Sequence, residues 1–410
     1  MTPLSLFLLA GEDLGVLLWL ASIAYLALAL WQVARFAFAV ETPGAACPPM
    51  TVLKPLCGAE PGLEANLRSF CEQDYPAPLQ IIFGVGHAGD PALATADRLA
   101  RAYPGRDIAV VVSDAMVGPN PKVSNLANMA ALAKYELLVI SDSDAAIESG
   151  CLRQVGAAFD DPTVGAVTCL FRGAPADPAS PFDRLGALYT NAWTLPSAVV
   201  AAALAPLGSC DGPLTAIRRQ VIEAEGGFRA LSHLLGDDGE LGAMTLRHGL
   251  RVVVGPAMVR MRVTERDLPA LFSHEVRWAR TTRAASPVAY AASGVTWSLP
   301  LVGLLLLLHP SAFTVAAIAL QVALRTALAA LTQARLGGAD SRQSAWPWTI
   351  AARECLCFAV WAAGFFGRHV SWRGQSYRFG PGGRLVGTGA WDGWRQEPVL
   401  APAVADLVGV

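Results

Sequence analysis

Leu137-Leu138-Val139-Ile140-Ser141-Asp142-Ser143-Asp144 decides how this 410-residue chain is read. The uninterrupted apolar run Leu137 to Ile140 reads as a buried strand that delivers two acids to its carboxyl end. That edge is where open α/β sheets hold ligands. Carboxylates one residue apart offer hard oxygen ligands to a divalent cation, and the cation can in turn hold a diphosphate. A solvated loop at a strand end is the alternative that these eight residues alone leave open.

Working outward, Thr51-Val52-Leu53, Leu79 to Phe83 and Ile108 to Val112 are further short β-rich runs. Helical patterns lie between them near 61–73, 91–103 and 122–134. The alternation predicts an α/β domain with a largely parallel sheet over residues 51–285. Residues 41–50, ETPGAACPPM, form a Pro/Gly-rich linker ahead of it.

Apolar zones flank this domain. Hydrophobic residues make up 53% of the chain and charged residues 16%, too apolar for a wholly soluble protein of this length. Residues 14–31 carry no charge and as a helix span roughly 27 Å, enough to cross the hydrocarbon core. A cleaved signal peptide is the competing reading, but Glu12 and Asp13 stand where its positive region belongs. Residues 1–40 therefore read as a retained anchor. Arg35 after the run places residue 40 onward in the cytoplasm by the positive-inside rule. Residues 286–370 read as membrane helices. The stretches 291–308 and 311–333 are joined by His309-Pro310, and 348–367 is interrupted by Arg353 and Glu354. Three crossings would put Arg368, Arg373 and Arg378 on the wrong side, so 348–367 is expected in the interface or re-entering. Residues 371–410 read as a tail, Gly-rich and poorly ordered after about 380.

Net charge is −2, so no basic field exists for nucleic acid. The eight cysteines form no Cys-x-x-Cys pair, which fits free thiols in a reducing compartment better than a zinc site or a disulfide framework.

Several segments could carry chemistry beside Asp142 and Asp144. Lys54 ends the first strand and could reach a phosphate, or stand in solvent. Gly84-Val85-Gly86-His87-Ala88-Gly89 matches a dinucleotide fingerprint, but Asp90 would repel a pyrophosphate at the helix start, and this is not the first βα turn. Asp90 before Pro91 reads better as an N-cap whose carboxylate could also contact a nucleotide. Lys122, in Asn120-Pro121-Lys122, points toward the same edge as Asp142, for a phosphate or for solvent. Gly208-Ser209-Cys210 and Gly226-Gly227-Phe228 suggest tight turns near a ligand or ordinary turns. Asp237-Asp238 starts a helix, either as a charged cap or as a base that could take a hydroxyl proton. Arg277-Trp278 offers fixed positive charge and an aromatic wall. The alternative for this basic segment, with Arg280 and Arg283, is contact with anionic lipid head groups.

In order and spacing these motifs resemble the ceramide glucosyltransferase family, the family-21 glycosyltransferases, including bacterial relatives associated with hopanoid biosynthesis. The similarity covers residues 50–285 and the flanking membrane segments. Asp90, Asp142 and Asp238 look like the family's three aspartates, and Arg277-Trp278 looks like the end of its (Q/R)-x-x-R-W motif. His274 stands where Gln or Arg is usual, which puts the role of that position in doubt. Lys54-Pro55-Leu56 and Asn120-Pro121-Lys122 are also similar to family sequence.

The resemblance implies a GT-A fold and a multi-pass membrane enzyme of glycolipid biosynthesis, in a bacterial inner membrane. It implies inverting transfer of a hexose, glucose first, from a UDP-sugar to a lipid hydroxyl such as that of ceramide or a hopanoid. Asp142 and Asp144 would hold Mg²⁺ or Mn²⁺, Asp90 would contact the nucleoside, Asp238 would act as base, and Arg277 would offset charge on the diphosphate. A processive polysaccharide synthase would be expected to carry Q-x-x-R-W and more helices; a non-catalytic scaffold or transporter would not need acids at three element ends. The sequence fixes neither the acceptor, nor the sugar, nor the oligomeric state.

Overall fold

The computed structural model describes residues 3–38, 47–297, 299–338, 346–372 and 375–386. Most of the expected linker over 41–50, and the tail beyond 386, lie outside the described residues.

A long helix, α1 (Pro3–Arg35), precedes the strand β1 (Met50–Pro55). Then α2 (Leu63–Cys71), β2 (Leu79–Val85), α3 (Pro91–Ala102), β3 (Asp107–Val112), α4 (Pro121–Ala130) and β4 (Leu137–Ser141) alternate as the periodicity predicts. β5 (Ala145–Ala146), α5 (Cys151–Ala157), β6 (Val164–Pro175), α6 (Pro181–Tyr189), α7 (Leu195–Leu204), β7 (Leu214–Arg218), α8 (Arg219–Ala224), α9 (Asp237–Arg247), β8 (Arg251–Val263) and α10 (Leu268–Ala285) follow.

Eight strands form one sheet in the order β3-β2-β1-β4-β7-β6-β8-β5. β3, β2, β1 and β4 run parallel, while β7 pairs antiparallel with both β4 and β6. The chain moves outward from β1 on one side and returns to β4 on the other. The crevice at the carboxyl ends of these two neighbours is therefore the topological switch point. Every residue of β1 and β4 is buried, because helices cover both faces. α2, α3 and α5 pack through Leu67, Phe70, Leu99 and Leu152 on one side. α4, α8 and α9 pack through Leu126, Met129, Ile222 and Met244 on the other.

Beyond α10 come α11 (Pro287–Ala292), α12 (Leu299–Leu308), α13 (Ala312–Leu336) and α14 (Pro347–Gly364). Among the described residues two helices are long and apolar enough to cross a membrane: α1 over Asp13–Arg35, and α13. The expected helix over 291–308 is instead broken. Pro287–Trp297 and Leu299–Leu308 meet at 58° and count as a third span only if taken together.

The charges that set 348–367 apart in the sequence face inward. Arg325 on α13 and Glu354 on α14 are 0% and 1% exposed and lie 3.3 Å apart. Arg353 pairs with Glu275 of α10. Buried charges persist only when paired in this way. Arg280 and Arg283, readable as lipid head-group contacts, donate instead to carbonyls following α14, at Phe366 (3.0 Å) and Gly367 (2.8 Å). The expected tail also begins with structure. β9 (His369–Trp372), β10 (Gln375–Phe379) and β11 (Leu385–Val386) form a small sheet that packs on Leu235.

Candidate active site

A cavity of about 660 Å³ opens at the carboxyl edge of β1 and β4. Asp142 and Asp144 line it from the turn after β4, Lys122 from the start of α4, Asp238 from the start of α9, and Arg277 and Trp278 from α10. Residues more than 150 positions apart thus share one wall.

Local chemistry fixes each element. Asn120 caps α4, its Oδ1 accepting from Val123 N at 3.2 Å while its Nδ2 donates to Leu234 O at 2.8 Å. The helix that carries Lys122 is thereby tied to the loop before α9. No side-chain cap bond forms at the start of α9; its acids face the cleft, where the Lys122 ammonium gathers them. Nζ lies 3.0 Å from Asp142 Oδ1 and 3.2 Å from both Asp237 Oδ2 and Asp238 Oδ1. Burial works against the Lys122 charge, but Asp142, Asp237 and Asp238 together hold its pKa well above the ordinary value. Burial and then the Asp237 charge push Asp238 up to about 7, with Lys122 pulling the other way. Trp278 is braced by Tyr189, stacked at 6.4 Å, and by the edge of His274 at 4.4 Å. His274 Nδ1 meets Glu265 Oε1 at 2.6 Å.

Lys54 and Asp90 are engaged by the protein itself. Lys54 is fully buried beneath the acidic turn. Its Nζ donates to Ser141 Oγ (3.2 Å), to Asp142 O and to Ala145 O (3.1 Å), and lies over the Phe70 ring. It thereby shapes the turn that carries Asp142 and Asp144. Burial lowers its pKa to about 7, against the charges of Asp144 and Asp142. Asp90 is 4% exposed and does not line the cavity. Its Oδ1 caps α3 at Ala92 N (2.8 Å) and accepts from Gly58 N (2.9 Å), so it anchors the loop after β1. The glycine-rich match is a packing device as well: a Cβ on Gly84 would stand 2.3 Å from Asn125 Oδ1 on α4.

Sequence reading missed Asp211 and Gly212, although the glycine turn at 208–210 lies next to them. Burial raises the Asp211 pKa. Gly212 separates the two key acids: a Cβ there would lie 2.7 Å from Asp238 Oδ2 and 3.3 Å from Asp142 Oδ2. Glu60 and Ser371 also line the cavity; neither stands in a motif.

Among the described residues no three His, Cys, Asp or Glu side chains are grouped to hold a metal alone. Magnesium-type ions need only one or two carboxylates plus substrate phosphates. Asp142, 34% exposed toward the cleft, and Asp144 supply those. Two carboxylates on one turn that opens on the cleft fit such an ion.

The chain is similar to several known proteins. A ceramide glucosyltransferase of Komagataella phaffii is 38% identical over 107 residues, which are 25% of this chain and 21% of that protein. One from Candida albicans is 34% identical over 115 residues, covering 25% and 21% respectively. The chain thus spans about a fifth of the length of the curated relatives it matches. The solved mannosyltransferase of Pyrobaculum calidifontis, in complex with GDP-Man and Mn²⁺, is 21% identical with a TM-score of 0.51 over 78% of this chain and 98% of its own. That likeness shows the fold, which is GT-A. The family described as Glycosyl transferase family 21 matches residues 14–385. A glycosyltransferase is therefore at hand, and the chain belongs to glycosyl transferase family 21.

Proposed function

We propose that the protein transfers a hexose, glucose first, from a UDP-sugar to the hydroxyl of a membrane lipid such as ceramide or a hopanoid, with inversion. The observation that carries this reading is the Asp238 carboxylate, held beside Lys122 and Asp142 in a cavity that Arg277 and Trp278 also line. Asp238 takes the proton of the acceptor hydroxyl as its oxygen bonds to the anomeric carbon. The bond from that carbon to the diphosphate breaks, and UDP leaves with the electron pair. Arg277 and Lys122 supply fixed positive charge where the diphosphate gains its own. A Mg²⁺ or Mn²⁺ ion held by Asp142 and Asp144 would add Lewis-acid stabilisation of that leaving group. Trp278 walls the acceptor side. Lys54 and Asp90 act as positioning residues.

The catalytic head, residues 51–285, would face the cytoplasm between the N-terminal anchor and the helices of 286–370, so that the lipid presents its head from the bilayer. Mass spectrometry of lipids from cells with and without the gene tests this directly. A glycolipid that disappears with the gene names both substrates; unchanged lipids in cells that express the protein would sink the reading.

A further inference from the structure

Behind Trp278 a second cavity, of about 290 Å³, adjoins the cleft and shares Glu60, Asp144, Met261, His274 and Trp278 with it. Its far wall includes Gly186 of α6 and Thr190. Thr190 opens the π-turn Thr190–Thr194, whose Trp193 packs with Ala329 of α13 and Ile350 of α14. The cavity therefore lies between the reaction cleft and the membrane-side helices.

Two groups here have no part in the donor chemistry. Glu275 lines the cavity and is 3% exposed. Its Oε1 pairs with Arg353, but its Oε2 is buried with no hydrogen-bond partner among the described residues. Glu265, 7% exposed, lines the same space and holds His274. A buried carboxylate oxygen lacking a donor is costly and calls for an explanation. A hydroxyl or amide N–H entering the cavity supplies the missing donor. Four acids, Glu60, Asp144, Glu265 and Glu275, line the space against one guanidinium, that of Arg262, so an anionic head would meet a wall of net negative charge.

We propose that this cavity is the subsite for the head of the lipid acceptor, where Glu275 and Glu265 accept hydrogen bonds from hydroxyl or amide N–H groups flanking the reacting alcohol. The inference rests on the proposed function, because it takes the acceptor to be a lipid alcohol arriving from the membrane side. Neutral heads with neighbouring donors are then preferred, and heads lacking a donor or carrying phosphate are rejected. Sites built to hydrogen-bond a substrate group discriminate strongly against analogues without it.

The test uses the full-length protein in detergent–lipid micelles with UDP-glucose and two probes, N-octanoylsphingosine and its 3-O-methyl ether. Wild-type protein is expected to show a KM at least about tenfold higher for the ether. Glu275→Gln and Glu265→Gln should each raise the KM for the free diol by about the same factor and abolish the difference between probes, while UDP affinity by calorimetry stays within about twofold. Glu275→Gln removes the partner of buried Arg353 and could unsettle the fold; Glu265→Gln, whose partner His274 is 35% exposed, carries the test in that event. Equal use of both probes by wild type, or an unchanged diol KM in Glu265→Gln, overturns the subsite. Wild-type protein that binds UDP but glycosylates neither probe removes ceramide as the acceptor in the proposed function and this inference with it, an outcome told apart because it appears in the unmutated chain.

Discussion

The Lys122 ammonium lies 3.2 Å from the Asp238 carboxylate, so the proposed base is paired with a cation before any substrate arrives. The same ammonium touches Asp142 at 3.0 Å. One side chain thus couples the group that would take a proton to the group that would hold the donor's metal.

The pH profile follows from that coupling. Asp238 sits at about 7, raised first by burial and then by Asp237. A base works only when unprotonated. Log kcat/KM should therefore climb with unit slope as pH rises toward about 7 and level off above it. Asp238→Asn should lower kcat by about 10²–10⁴-fold. A flat pH–rate profile between 5 and 8, in the wild-type protein, would contradict the assignment.

Lys122→Met should move the acidic limb upward, since Lys122 is what pulls the Asp238 pKa down. Three carboxylates would lose their shared counter-charge, at a stability cost on the order of 3 kcal/mol. Pairing the pH–rate profile with chemical denaturation separates the two effects; an unmoved limb in a folded variant would refute the coupling.

Stability should depend on pH through Lys54. In the unfolded chain this amine holds its proton up to about 10.5, but in the folded chain only to about 7. Between those values the unfolded state binds more protons, so stability rises with pH across the window and falls as pH drops back through it. Denaturation midpoints at pH 7 and 9 should differ in the wild type, and Lys54→Met should remove that difference. The variant should also lose transfer, because two carbonyls of the acidic turn lose their donor.

Gly212→Ala should impair catalysis more than folding. The added methyl would press on the Asp238 and Asp142 oxygens and displace them by several tenths of an ångström. A loss of about 10²-fold in kcat is expected from such a misplacement, with a melting temperature close to wild type. Full activity would mean that the spacing of these acids is not critical.

Chelation should stop transfer, and Mn²⁺ or Mg²⁺ should restore it. In Asp142→Ala the metal concentration needed for half restoration should rise at least about tenfold, as losing a ligand demands. Activity that survives exhaustive chelation would remove the ion from the scheme.

The catalytic strands were legible because buried parallel strands leave continuous apolar runs, and the acids at their ends stand out against them. Asp142, Asp144, Lys122, Asp238, Arg277 and Trp278 do converge on one cavity. Side-chain direction was not legible where burial is uniform. Every residue of β1 is buried, so no alternation told whether Lys54 would turn toward ligand or core. Asp90 was readable as a cap but not as the anchor of Gly58, a contact made across 32 positions. Arg353 and Glu354 looked like interruptions of an apolar helix, because their partners Glu275 and Arg325 lie far away in the chain. Asp211 and Gly212 escaped because a turn's neighbours carry no periodic signal.

The Arg353–Glu275 pair has a consequence for how the enzyme becomes competent. Glu275 belongs to the helix that presents Arg277 and Trp278, and its guanidinium arrives only with α14, some eighty residues downstream. A head severed after residue 285 would keep every proposed reactive group yet lose both the guanidinium that pairs with Glu275 and the helix that covers it. The surface that carries Arg277 and Trp278 is therefore complete only once the late helices have been made.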